Sequence, residues 1–244
     1  FTVNTNYTAP APDGYASAVT GGGGVGSIPV TVSSASDFRT QAESSNTAVI
    51  TVVGTLNLGA TPVAVRSNKT IQGADANATL VGNLSLSSGV SNVIVRGLNL
   101  TNPGTTIVNG AYTDGGDAIT LSGATNVFIT HCTFFDTADH ALEITSGADN
   151  ITVSWCEFDY TSAQTAHRYS VLIGNSTGET TPLRVTLHHN RWGTGVDQRA
   201  PLSTFCHVHL YNNYFNFTGN TEATVASDQA QLLSERNVYQ GVVA

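Results

Sequence analysis

Asp117, Asp139, Glu143 and Arg199 are the side chains whose types and spacing suit chemistry in this chain. Three carboxylates without sulfur or paired imidazole suit a hard cation, Ca²⁺ before Mg²⁺. Asp117, Ala141 and Glu143 share strand parity, so their side chains leave one face. In a straight strand Asp139 and Glu143 stand ~13 Å apart, too far for one ion. The chain must therefore turn near His140 if both are to bind it. The plainer alternative is three solvated carboxylates on turns. Arg199 lies in Asp197-Gln-Arg-Ala-Pro201, two coils beyond Glu143 in the frame derived below. That is ~10 Å along the axis, a gap one sugar residue spans. Its alternative is a surface arginine paired with Asp197. Arg168 could reach the same groove. His188 and His189 invite a metal or triad reading, set against a structural role at a strand corner. The chain has no Gly-X-Ser-X-Gly elbow, so a serine hydrolase has no support.

These residues need elements to hold them, and the sequence repeats the elements. Asn126-Val-Phe-Ile-Thr-His-Cys-Thr-Phe134 returns 24 residues later as Asn150-Ile-Thr-Val-Ser-Trp-Cys-Glu-Phe158. Each copy follows a short β-branched run, Asp117 to Leu121 or Ala141 to Thr145, and a Ser-Gly-Ala turn. The same frame recurs at Asn68, Asn92, Arg184, His207 and Gln231. One column reads Leu98, Cys132, Cys156, Asn190, Asn213, Asn237, with steps of 34, 24, 34, 23 and 24. A fixed period of this size in β-rich sequence indicates a solenoid, because no coil buries its apolar face alone. Two coils carry extra residues, Pro103 to Gly116 and Asp159 to Pro182. Both border the carboxylates, and such loops often form a binding face.

Stacked asparagines in that column satisfy backbone groups up and down the stack. Cys132 and Cys156 fall one strand spacing apart, ~4.8 Å. That separation admits a disulfide, although parallel-stacked side chains do not aim at each other; a pair of buried thiols is the alternative.

A chain of 244 residues is compatible with one domain over 1–244. Nine Lys and Arg against 17 Asp and Glu leave a net charge of −8. That argues against nucleic acid or an anionic membrane as partner. No apolar run is long enough to cross a membrane. The chain contains no methionine, which suggests a mature secreted form cut after a signal peptide. Asn-X-Ser/Thr sequons at Asn6, Asn77, Asn150, Asn175 and Asn216 agree with secretion.

Residues 1–30 read as an irregular Gly-, Ala- and Thr-rich segment, not a phosphate loop. A strand follows at Val30 to Val32. Residues 34–45 form the one helix candidate, with Ser36 as cap and Phe38 and Ala42 as an apolar i, i+4 pair. It would plug the open end of the solenoid. Beyond it, runs such as Val49 to Val53, Thr70 to Gln72 and Val93 to Val95 are short, β-branched and bounded by Gly, Asn and Ser. No hairpin dipeptide falls in register with the 24-residue recurrence, which favours an all-β parallel β-helix over a sandwich.

With these motifs assembled, the chain resembles the pectate lyases of polysaccharide lyase family 1. The resemblance runs almost end to end. It rests on Gly14-Tyr-Ala-Ser17, Ser67-Asn-Lys-Thr-Ile71, Asn92-Val-Ile-Val-Arg96, Val153-Ser-Trp155, Leu172-Ile-Gly174, Leu187-His-His-Asn190, Gln198-Arg-Ala-Pro201 and Val208-His-Leu-Tyr-Asn-Asn213. Asn126 to Phe134 is similar to the family's Trp-Ile-Asp-His motif, with Phe128 for Trp and Thr130 for Asp. The resemblance implies a right-handed parallel β-helix and Ca²⁺-dependent β-elimination on polygalacturonate by a secreted monomer. It implies calcium ligands Asp117, Asp139 and Glu143, and Arg199 as the catalytic arginine. Substrate contacts would fall to Arg168, Thr204 and His188. Two positions depart from the family: Thr204 stands where it has a second groove arginine, and Tyr169 near where it has a lysine.

The implied chemistry agrees with the residue types. Elimination removes the proton α to a uronate carboxylate and expels the oxygen on the next carbon. A bridging cation offsets the charge that builds there and reverses the sign of a protein that otherwise repels a polyanion. Three alternatives remain open on sequence alone: a glycoside hydrolase using Asp136 and Asp139, which needs carboxyls ~5 to 9.5 Å apart, a pectin lyase on methylated substrate, and a non-catalytic carbohydrate-binding solenoid.

Overall fold

The computed structural model describes residues 11–24, 26–104, 107–108, 111–112, 116–161, 167–175, 179 and 183–242. Apart from an antiparallel pair, Ile107–Val108 with Ala111–Tyr112, in the first insertion, its strands form three parallel sheets of nine, eight and seven strands, called here sheets 1, 2 and 3. Each coil contributes one strand to each sheet in turn. The coil around the candidate carboxylates runs through Ile119–Ser122 in sheet 3, Thr125–Thr130 in sheet 1 and Thr133–Phe135 in sheet 2. The next repeats it with His140–Thr145, Asp149–Ser154 and Glu157–Asp159. Register follows the repeat: Val127 pairs with Ile151 and Ile129 with Val153. This is the parallel β-helix expected from the period.

Inward-facing apolar residues stack from coil to coil. Inside sheet 2, Phe134, Phe158, Trp192, Phe215 and Tyr239 lie ring on ring, with centroids 5.0, 5.1, 4.6 and 4.3 Å apart. Parallel pairing in register imposes that stack, because the same position of each coil faces the same point of the core. Trp192 is fully buried, and truncating such a side chain costs about 3–5 kcal/mol.

The corner between sheets 1 and 2 holds the asparagine column. Asn190 Oδ1 accepts from Cys156 N at 2.9 Å, Asn213 Oδ1 from Asn190 N at 2.9 Å, and Asn237 Oδ1 from Asn213 N at 2.9 Å. Their amide nitrogens donate to the carbonyls of Val153, Leu187 and Leu210 at 3.0, 2.9 and 2.8 Å. Cys132 and Cys156 are buried free thiols; each lies over a nearby backbone carbonyl, Thr130 O at 3.4 Å and Ser154 O at 3.3 Å.

Three sequence expectations are adjusted. The first strand is Ile28–Val32, so the irregular segment ends before residue 28; residues 1–10, with the Asn6 sequon, lie outside the described residues. The helix α1 is Ala35–Ala42 and its cap is Ser34, not Ser36. Ser34 accepts from Asp37 N at 3.1 Å and donates to the Asp37 carboxylate at 2.7 Å, a reciprocal pairing open only to the residue three before Asp37. Phe38 and Ala42 enter the core, as the i, i+4 pair predicts. The stretch Asp159 to Pro182 is not one loop. It contains the sheet 3 strand Tyr169–Ile173, paired with His140–Thr145 and Leu202–Thr204. The N-terminal segment is irregular, as expected, and it is tied to the coils. Ala16 N donates to Thr152 Oγ1 at 3.0 Å, Thr20 N to Asn92 Oδ1 at 2.7 Å and Gly22 N to Thr70 Oγ1 at 3.0 Å, so it lies along the outside of sheet 1. A Cβ on Gly22 would come 1.8 Å from Ala48 O, which is why glycine stands there. Among the described residues no helix is long and apolar enough to cross a membrane.

Candidate active site

The carboxylates and the arginine meet at the entry edge of sheet 3. Asp117 precedes the strand Ile119–Ser122, and Thr120 pairs with Glu143 in the next coil. Continuing that register places Asp117 beside His140, which pairs in turn with Tyr169, and Tyr169 bridges to Gln198. One row therefore reads Asp117, His140, Tyr169, Gln198, with Arg199 next in the chain. The strand His140–Thr145 starts at His140, so Asp139 lies on the bend before it. That bend is the turn the straight-strand distance demanded.

The backbone around Asp117 is fixed by two amides. Asn83 Nδ2 and Asn102 Nδ2 donate to its carbonyl at 3.0 and 2.8 Å. Its Oδ1 accepts from His140 N at 3.0 Å, and its Oδ2 from Thr120 Oγ1 at 3.0 Å. His140 Nδ1 is 3.2 Å from Asp117 Oδ1, 3.4 Å from Asp139 Oδ1 and 3.8 Å from Glu143 Oε2. All three predicted carboxylates thus converge on one point. Asp117, His140 and Glu143 each bring one potential ligand atom within 4.8 Å of the others. Burial, then the Asp117 carboxylate, pushes the Glu143 carboxyl above its ordinary pKa, with Asp139 adding to the effect. The Thr145 hydroxyl at 3.0 Å and His140 pull the other way. Crowded carboxylates of this kind are relieved by a cation, and the donor set, rich in carboxylate oxygen, fits a hard one.

Arg199 is held in the left-handed region at φ 62°. Its carbonyl accepts from Val171 N at 2.7 Å and from the Ser170 hydroxyl. Ser170 also accepts from the core Trp192 Nε1 at 2.8 Å, which ties the backbone of Arg199 to the aromatic stack. The guanidinium lies over the Tyr169 ring, 4.2 Å from its centroid, and Nη1 contacts His140 Nε2. Nε is buried and makes no hydrogen bond to the described residues. His167 stacks on Tyr169 with centroids 4.8 Å apart and comes 3.9 Å from Asp139 Oδ1.

The other sequence candidates stand elsewhere or play other parts. Arg168 borders the site through its backbone, its carbonyl accepting from Asp197 N at 3.0 Å. Thr204 is buried and pairs its hydroxyl with Ser227 at 3.0 Å. His188 is buried on sheet 1, paired with Asp13 at 2.9 Å and His189 at 2.8 Å and stacked on Tyr211. The structure does not bring it to the carboxylates. Asp136 accepts from Thr161 N and Oγ1, both at 2.7 Å. It serves as a turn lock, so the paired-carboxylate reading with Asp139 loses a free partner.

Sequence reasoning missed two residues that touch Arg199. His140 was read only as the site of a bend, and Tyr169 only as a missing lysine. The available signal was the 23-residue step from Asp117 to His140, which puts the imidazole beside the carboxylate.

The model of the family described as pectate lyase matches residues 2–243. The chain belongs to the pectate lyase family. Pectate lyase A of Aspergillus niger is 34% identical over 219 residues, which is 85% of this chain and 62% of that protein. The chain thus spans less than two thirds of that relative's length. Among solved structures, a Bacillus subtilis pectate lyase variant superposes with a TM-score of 0.75 at 22% identity, over 95% of this chain and 80% of that one. A pectate lyase bound to a hexasaccharide superposes with a TM-score of 0.73 at 22% identity, over 95% and 80%.

Proposed function

We propose that this pectate lyase family member cleaves de-esterified polygalacturonate by Ca²⁺-dependent β-elimination, leaving a 4,5-unsaturated oligogalacturonide. The observation that carries this reading is the convergence of Asp117, Asp139 and Glu143 beside Arg199. The hexasaccharide bound by a structural neighbour supports an oligosaccharide in the corresponding groove.

Asp117, Asp139 and Glu143 would hold the ion through carboxylate oxygens. Bound calcium supplies positive charge next to the uronate carboxylate, where charge builds as the α proton leaves. For this step Arg199 must first give up one guanidinium proton, which alkaline pH favours; the neutral guanidine then takes the proton from carbon 5. The electron pair forms the double bond to carbon 4, and the bond from carbon 4 to the glycosidic oxygen breaks, the oxygen leaving as a hydroxyl with a proton from water. The guanidinium packs over the Tyr169 ring, and Ser170 and Val171 fix the backbone behind it. Arg168, beside Gln198 and Arg199, supplies a further cation for a polyanionic substrate. Thr204 and His188 are each tied to protein partners, which argues against direct substrate contact by either.

Elimination and hydrolysis differ in product. Incubation with polygalacturonate should give one ultraviolet-absorbing double bond per new reducing end, with slower turnover on highly methylated pectin. New reducing ends without the double bond would make the protein a hydrolase. Faster turnover of the methylated polymer would favour the pectin lyase alternative. The substrate is an extracellular polymer, which supports secretion; enzyme confined to the cells of the source organism would contradict it. Gel filtration near the chain mass of 25.4 kDa is the outcome expected of a monomer, and a dimer mass would refute it.

A further inference from the structure

His140 is the side chain that touches both halves of the candidate site. Its Nδ1 faces the carboxylates, nearest Asp117 at 3.2 Å, and its Nε2 contacts Arg199 Nη1. Its side chain is 5% exposed, so the ring has little freedom to swing. A guanidinium only donates hydrogen bonds, so Nε2 must accept. In a neutral imidazole the other nitrogen then carries the hydrogen, and Nδ1–H donates to Asp117. A metal ion on Nδ1 would force the hydrogen to Nε2, where it would face an Arg199 N–H. Two donors cannot share that contact. The Arg199 contact therefore separates His140 from the ligand set, although its nitrogen lies among the carboxylates.

We propose that His140 is a positioning residue, which sets the reach of the Arg199 guanidinium from the carboxylate cluster. The proposal rests on the lyase reading above. The need for such a residue follows from the other supports of Arg199. Val171 and Ser170 fix its carbonyl, and the Tyr169 ring supports one side of its guanidinium. Neither sets how far the side chain extends, and Nε makes no hydrogen bond to the described residues. The His140 contact supplies the missing constraint and refers it to Asp117, a residue on the ion-binding side. Misplacing a reacting group by about 1 Å costs on the order of 10²-fold in rate.

Nuclear magnetic resonance of protein labelled with ¹⁵N-histidine reads the contact directly. The His140 signal, assigned by its loss in His140→Gln, should show Nδ1 protonated and Nε2 unprotonated, both before and after Ca²⁺ is added. Protonation of Nε2, or a switch to it with Ca²⁺, would overturn the assignment. Kinetics at saturating Ca²⁺ tests the consequence. His140→Ala should lower kcat for polygalacturonate about 10- to 100-fold with KM within about threefold. His140→Gln, whose amide oxygen can accept from Arg199, should recover a large part of that loss. An unchanged kcat in a folded His140→Ala protein would overturn the proposal, as would a Gln variant no better than Ala. A wild type inactive on polygalacturonate would instead refute the lyase reading, while the tautomer would still report whether His140 holds Arg199.

Discussion

The asparagine corner and the carboxylate rim are built by the same coil repeat from polar side chains, and they treat those side chains in opposite ways. At the corner, Asn190, Asn213 and Asn237 present an amide to each backbone group above and below, and each oxygen and nitrogen finds a protein partner. At the rim, three carboxylates crowd around one imidazole, Glu143 is pushed toward its neutral form, and one guanidinium nitrogen of Arg199 has no hydrogen bond to the described residues. A corner whose groups satisfy one another contributes stability. A rim with crowded charges stands at some cost in stability, and in the function proposed above an ion and a substrate meet those charges. Mutations in the two regions should therefore divide into those that unfold the protein and those that silence it.

The sharpest division is expected at Arg199. Arg199→Lys keeps the charge but not the planar fork. Its kcat on polygalacturonate should fall by about 10² to 10⁴ while thermal denaturation follows the wild type. A kcat within about tenfold of wild type would make Arg199 a binding residue, and the rim would need another base. The corner should respond in the opposite sense. Asn213→Ala strands Asn190 N and Leu187 O, and each unsatisfied buried group costs about 1–3 kcal/mol. Denaturant melts should show a loss of roughly 2–4 kcal/mol with kcat of the folded fraction unchanged. A collapse of kcat there would mean that the two regions are coupled. Glu143→Gln should have the smallest effect on folding. A carboxyl whose folded pKa is raised adds stability below its unfolded pKa and loses it as pH rises through the folded value. In chelator near neutral pH the wild type therefore carries a penalty that glutamine removes. The melting temperature of Glu143→Gln should then exceed wild type by about 1–3 °C and match it below about pH 4. A lower melting temperature at neutral pH would show that the Glu143 charge already has a partner in the protein.

Much of this division was legible in the sequence, for identifiable reasons. The column ending in Asn190, Asn213 and Asn237 could be read because parallel register makes the step between coils equal to the sequence period. The same frame brought Asp117, Asp139, Glu143 and Arg199 to one edge. Parity counting was less reliable. It grouped Asp117 with Ala141, whereas the register puts Asp117 opposite His140, because the step between these two coils is 23 residues, an odd number, which exchanges odd and even positions. Thr204 and His188 could not be judged from chain position, since their partners, Ser227 and Asp13, are distant in sequence. The role of Ser34 turned on which hydroxyl lay three residues before Asp37, a one-turn detail that several nearby serines obscured.

The central claim is that the rim works only when an ion completes it. Turnover of polygalacturonate, followed by the absorbance of the unsaturated product, should vanish in EDTA and return when Ca²⁺ is restored in excess. Undiminished turnover in EDTA, with the folded state verified, would contradict the account.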